Sequence, residues 1–260
     1  THPAFTFGDT ELNGIWVGKF ELTGDTTNPT IKPNKTSLRS ANVSTLFATT
    51  QKLSSNSSML KNSEWGAITY LTTSIYGQGL SEVRINNSST YQTGCAATKE
   101  NGSAFSGCEN KYYTSTGVLA STTGNISGIY DMSGGAWEYM ASYRSNTYGS
   151  SGFDSTNILN YDNKYFDVYS ADSTVTSYNK RILGDAIGEL GKFYDYKDSD
   201  LSSRIHSSWY NDASYFFTET DCWIKRGSTF YDGAVTGSFS FVGGTGFLTE
   251  TSSFRLVLAD

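Results

Sequence analysis

Three cysteines and two histidines carry most of the nucleophilic, redox and transition-metal chemistry open to this 260-residue chain. Cys95 and Cys108 fall in one short polar segment, TGCAATKENGSAFSGCE, whose Gly and Asn residues let the chain fold back on itself, so a disulfide is predicted there. Closing a loop of that length stabilises a fold by about 3 kcal/mol and implies an oxidising compartment. Two free thiols in a reducing cytosol are the alternative. Cys222 is left over, with burial, reactivity and an intermolecular link all open to it. His206 reads as an ordinary loop histidine. No motif sets a nucleophile, a base and an orienting group together, so the chain is expected not to be an enzyme.

The elements that must position these groups follow from composition and periodicity. Hydrophobic residues make up 37% and aromatics 15%, against 17% charged, which is a folded, loop-rich composition rather than a disordered one. The length allows one large domain or two small ones, and we read residues 1–260 as one. A net charge of -6 disfavours nucleic acid, whose binding needs a basic surface. No apolar run approaches a membrane span, and the chain opens at Thr1, so any membrane link is expected to run through a removed N-terminal leader or anchor.

IWVGKFEL at 15–22 predicts an early strand and 24–37 a loop. Val43, Leu46, Phe47 and Leu53 predict a helix over 42–53. A second helix is capped by Asn62 or Ser63, lined by Trp65, Ile68, Leu71, Thr72 and Ile75, and stopped by Gly77 in the left-handed region. Short strands and long loops follow, with Phe239 and Phe241 pointing one way, Ser238 and Ser240 the other, and SFRLVL at 253–258 as the last strand. Sequons at Asn42, Asn56, Asn87 and Asn125 carry little weight in so Asn- and Ser-rich a chain.

GIYDMSGGAWEYMA at 128–141 resembles the G-L-Y-x-M-x-G-N-x-W-E-W signature of the formylglycine-generating-enzyme family. WVGKFELT at 16–23, KNSEWGAITYL at 61–71, KRGSTF at 225–230 and SSFRLVL at 252–258 are similar to further elements of that family, in order along nearly the whole chain. The resemblance implies an α+β, C-type-lectin-like fold of that family's subtype, with two helices, short antiparallel strands and long loops. It also implies a structural calcium ion held by the side chains of Asp131 and Glu138 and the carbonyls of Gly134 and Ala136. The alternative for these residues is a turn cap at Asp131 and an arginine partner for Glu138. The family's catalytic cysteine pair is missing, since no cysteine follows Cys222, and two histidines are too few for the iron-dependent relatives. No redox cofactor is expected.

SSWYNDASYFFTETDCWIKRGSTFYDGAVTGSFSFVGG, with SSFRLVL, resembles the variable proteins that retroelements diversify in gut bacteria and their phages. That resemblance implies a frame of Trp223, Arg226, Gly227, Gly233, Gly237, Phe239, Phe241, Phe254 and Arg255 within a variable region at about 209–258. It makes Thr229, Tyr231, Asp232, Val235, Ser238, Ser240, Val242, Thr245, Phe247, Thr249 and Thr251 the candidate ligand-binding positions, each reachable from an Asn codon by changes at adenine. Ser228 and Cys222 depart from the family pattern. Tyr and Phe give rigid contact area while Ser, Thr and Gly adapt, which suits a binding surface. The expected partner is a cell-surface protein or glycan, met outside the cell. The alternatives are an inert Ser/Gly/Tyr-rich surface, a fixed pilus- or cell-wall-associated adhesin that recognises sugar, and a residual formylglycine-generating-type oxidase or an unrecognised hydrolase. Tyr112-Tyr113, Tyr165-Phe166 and Phe193-Tyr194 read as core or interface, with glycan stacking as the alternative.

Overall fold

The computed structural model describes residues 2–98, 102–169, 206–207, 210, 212–214 and 218–260. They form a mixed α+β arrangement of two α-helices and several small sheets. The early strand is shorter than its sequence pattern: β1 spans Ile15–Val17. Beyond it the chain stays tied to the C-terminus, Gly18 donating to the Leu256 carbonyl and Leu22 to that of Phe254.

Helix α1 is Val43–Thr50, capped by the Asn42 side chain, which accepts from the Thr45 amide. Val43, Leu46 and Phe47 are fully buried, as their spacing requires, whereas Leu53 lies past the helix and half in solvent. β2 (Ser57–Met59) follows, and then α2, Asn62–Thr72. The N-cap of α2 is Lys61 rather than Asn62 or Ser63, with the Lys61 amide donating to Glu64 Oε2 at 2.7 Å. The first free amides of this buried helix end find partners far along the chain: Asn62 donates to Ser142 Oγ and Ser63 to Asp167 Oδ2.

Trp65, Ile68 and Thr72 form the inner stripe of α2, but Leu71 faces solvent and Ile75 is 91% exposed. The helix stops three residues before Ile75 because the hydroxyls of Thr72, Thr73 and Ser74 bond back to carbonyls of the preceding turn. Gly77, the expected left-handed stop, lies five residues past the helix end and does not have a positive φ; it packs closely against the last turn. A Cβ there would lie 2.2 Å from the Thr72 carbonyl oxygen.

Burial raises the Glu64 pKa from 4.5 to about 7 against the opposing Lys61. A value raised by folding contributes stability below pH 4.5 that is lost as the pH climbs through 7. The melting temperature is therefore expected to fall across that window, and Glu64→Gln to flatten the slope. An unchanged slope in a Glu64→Gln melt series would count against this.

β3 (Cys95–Ala96) pairs with β4 (Asn110–Lys111), and the predicted disulfide joins Cys95 to Cys108 across a Cα–Cα distance of 5.3 Å. Reduction is expected to lower stability by about 3 kcal/mol, or roughly 6–12 °C in melting temperature, read from melts with and without reductant. Cys222 is buried and free.

The largest sheet is organised on the eight-residue β5, Trp137–Arg144. Along one edge runs β9 (Trp223–Arg226), antiparallel, with Trp223 opposite Tyr143. The other edge is shared by two parallel strands: β6 (Asp167–Tyr169) at the end of β5 and β11 (Ser252–Phe254) at its start. β10 (Phe241–Gly244) pairs antiparallel with β9, and β8 (Ala213–Ser214) and β7 (His206–Ser207) extend the order. His206 thus sits in a short strand rather than a loop. The predicted last strand is two, β11 and β12 (Leu256–Ala259), broken at Arg255. β12 lies between β1 and β2.

The main core is aromatic. Phe166 stacks on Phe47 at 4.7 Å, and Trp223 is sandwiched by Tyr143 and Phe153. Tyr165 and Phe166 are therefore core, while Tyr113 is exposed beside Tyr112. Phe193, Tyr194 and Trp209 lie outside the described residues. Among the described residues no helix is long and apolar enough to cross a membrane.

Candidate functional site

The C-terminal segment is laid on a rigid frame. Arg226 is fully buried, donating through Nε to the Ser240 carbonyl at 2.9 Å and through Nη1 to Asn62 Oδ1 at 2.7 Å. Its guanidinium also faces the rings of Trp65 and Phe241. Trp65 Nε1 donates to the Ser238 carbonyl, so α2 and the segment after β9 are locked together by side chains of both. Gly227 lies against the Trp65 ring, and Phe239, Phe241 and Phe254 are buried.

The eleven candidate positions divide on this frame. Tyr231 is 56% and Phe247 51% exposed, while Asp232, Val235, Val242, Thr245, Thr249 and Thr251 are partly so. Thr229, Ser238 and Ser240 do not reach solvent. Ser240 Oγ is bonded to Ser228 Oγ and to the Val235 carbonyl, and the Thr229 amide and hydroxyl both donate to Asp232 Oδ2 at 2.8 Å. The strict alternation read over 238–241 fails because this stretch is covered on both sides, by α2 and by the 229–235 turn. Asp232 consequently works as the clamp of its own turn.

Two residues that sequence reasoning missed join this surface from far up the chain. The Arg39 guanidinium carbon lies 3.9 Å from the centroid of the Tyr91 ring. Tyr91 meets Phe230 edge-on at 5.0 Å, and Phe230 meets Tyr231 at 5.1 Å. Arg39 also donates to the Glu250 carbonyl, and the Ser40 amide to that of Thr249. Arg39 therefore sits between the two loops that bear Tyr231 and Phe247. Aromatic type alone could have flagged Tyr91; nothing in its spacing does.

A second constellation lies beneath, where the resemblance implies calcium. Glu138 is fully buried with both oxygens on Arg255, Oε1 at 2.5 Å from Nη2 and Oε2 at 3.1 Å from Nε. Asp131, at φ +63°, accepts through Oδ1 from the Asn86 side chain and the Gly94 amide, both at 2.8 Å, while its Oδ2 has no hydrogen-bond partner. Gly134 and Gly135 both have positive φ, and a Cβ on Gly134 would strike the Asn86 carbonyl oxygen at 2.5 Å. The Ala136 amide donates to Glu21 Oε1, a third buried carboxylate absent from the sequence reading.

Burial, followed by repulsion from Glu138 and Asp131, pushes the Glu21 pKa well above its ordinary value of 4.5. Burial likewise raises Asp131, against Arg255 and the Gly94 amide, and raises Glu138 to about 7 against Arg255. A calcium shell needs six to eight oxygens converging with free lone pairs. Here Glu138 and one oxygen of Asp131 face donors, and Ala136 turns its amide to Glu21. No group of three or more His, Cys, Asp or Glu among the described residues is placed to hold a metal. As placed, the Glu138 carboxylate takes the arginine partner, Arg255.

No protein-family model matches this chain, and no curated protein does.

Proposed function

We propose that this chain is a non-enzymatic binding protein of the cell surface or extracellular medium, with a C-type-lectin-like fold of the formylglycine-generating-enzyme subtype, whose C-terminal segment is a retroelement-diversified ligand face. The single observation that carries the reading is the pair of half-exposed aromatics, Tyr231 and Phe247, on loops pinned to a fully buried frame. Large exposed aromatics on rigid supports are how binding surfaces concentrate energy at low entropic cost. The Cys95–Cys108 disulfide suits an oxidising compartment. The partner is a cell-surface protein or glycan, met by burial of those two rings, and catalysis plays no part.

The placement sharpens which positions should vary freely. Tyr231, Val235, Val242, Thr245, Phe247, Thr249 and Thr251 can change without disturbing the interior, whereas Thr229, Ser238 and Ser240 tolerate only small polar residues. The test lies in the flanking DNA: a reverse transcriptase gene and a near-copy of the segment encoding residues 209–258, with AAC codons at the varied positions. A flank without both returns the reading to a fixed binding face.

One observation favours the second reading, a fixed adhesin for sugar. Beside α1 lies a cavity of about 390 Å³ lined by Thr26, Ser44, Thr45, Asn157, Asn160 and Tyr161. Phe153 and Lys52 line it as well, and hydroxyls and amides beside two aromatic rings suit a saccharide. Glycan-array binding lost in Tyr161→Ala but kept in Tyr231→Ala would select this reading over the first.

A further inference from the structure

We propose that the Arg255 guanidinium is the resident cation of the buried carboxylate site, occupying Glu138, one of the four residues by which the resemblance implies calcium. The folded chain then takes up no calcium, and removing that guanidinium opens an oxygen-lined site for a divalent ion. The proposal goes beyond the binding reading and does not depend on it.

Arg255 breaks the last strand in two because its side chain turns inward, where it is fully buried. It makes four hydrogen bonds there: two to the carboxylate of Glu138, one from Nη1 to the Gly18 carbonyl at 2.7 Å, and one from Nη2 to the Tyr130 carbonyl at 2.8 Å. The acceptors are two carboxylate and two carbonyl oxygens, which are hard ligands of the type calcium selects. A planar fork with five N–H groups satisfies such a set without an ion. It also ties three distant pieces together, the Gly18 strand end, the 130–138 segment and the C-terminal strand.

Removing the fork would leave Glu138 buried and unpaired, which is strongly destabilising, and would free four oxygens around the vacated volume. Two of those come from one carboxylate and could bind an ion side-on. Water can complete a shell of six or more around those four.

Purified full-length protein decides the matter by thermal melting with millimolar calcium or with chelator, and by terbium luminescence, for which Tyr130 is a sensitiser at the site. Wild type is expected to melt at one temperature in both conditions and to give no terbium signal. Arg255→Met is expected to melt about 10 °C lower in chelator, to recover part of that loss in calcium, and to give saturable terbium emission that calcium displaces. Saturable calcium stabilisation of the wild type overturns the proposal. So does an Arg255→Met protein that folds but ignores calcium. If Arg255→Met folds only in calcium, the proposal stands. If it folds in neither condition, Arg255→Lys, which keeps a cation but loses the fork, must fold and be indifferent to calcium; calcium-dependent stability there, or failure to fold, is an overturning result.

Discussion

Replacing Tyr231 and Phe247 together by Ala is expected to abolish ligand binding while moving the melting temperature by no more than about 2 °C. Each ring is more than half exposed, so truncation leaves no cavity. The one interior service of Phe247 comes from its backbone, whose carbonyl accepts from the Tyr139 hydroxyl, and Ala retains it. The ring of Tyr231 leans on Phe230, which stays anchored against Tyr91. In the bound state the same rings would be desolvated, and loss of two such anchors at about 2 kcal/mol each weakens affinity by roughly a thousandfold. The check is a dissociation constant for the cell type or glycan that wild type binds, beside a melt. Unchanged affinity would remove the C-terminal face from the reading. A melting temperature lowered by many degrees would show that the rings are structural.

The opposite behaviour is expected of Trp223→Ala, the substitution with the largest anticipated cost to folding within the C-terminal segment. Trp223 is fully buried, with ring centroids 4.9 Å from Tyr143 and 5.6 Å from Phe153, and its Nε1 donates to the Tyr148 carbonyl at 3.0 Å. Its removal deletes both stacking partners' central contact and orphans that carbonyl, a loss of about 3–5 kcal/mol. In a chain of this size that lowers the melting temperature by roughly 10 °C or more. β9, the strand it occupies, is paired on both edges, to β5 and to β10, so the damage would spread to the loops of the proposed face. Binding should fail together with stability, whereas the surface pair loses binding alone. A Trp223→Ala protein melting within a few degrees of wild type would contradict the account of the frame.

Some of this was legible in the linear chain. Helix α1, the inner stripe of α2 through Trp65 and Ile68, and the Cys95–Cys108 bridge all follow from residues close enough in sequence for spacing and turn chemistry to fix them. Phe239 and Phe241 are interior, as the family resemblance implied, but so are Ser238 and Ser240, which the alternation set opposite them. The same local logic misplaced Leu71 and Ile75, because periodicity projects a helix forward and takes no account of hydroxyls that return to the backbone, as those of Thr72, Thr73 and Ser74 do.

The remaining properties belong to contacts between distant positions. That Glu138 meets Arg255, 117 residues away, rather than an ion, depends on where β12 and β5 come to lie. That Glu21 joins them depends on the Ala136 amide 115 residues on. Whether Ser238 and Ser240 face water depends on the far side of α2, and the reach of the binding surface to Arg39 and Tyr91 depends on loops that only packing brings together. The sequence by itself determined the residue types of an aromatic, disulfide-closed α+β chain, because composition and short-range spacing act within a few turns. The tertiary structure alone decided which of those residues lie at the surface and that Glu138 pairs with Arg255, because burial and charge pairing are set by whatever the fold places opposite.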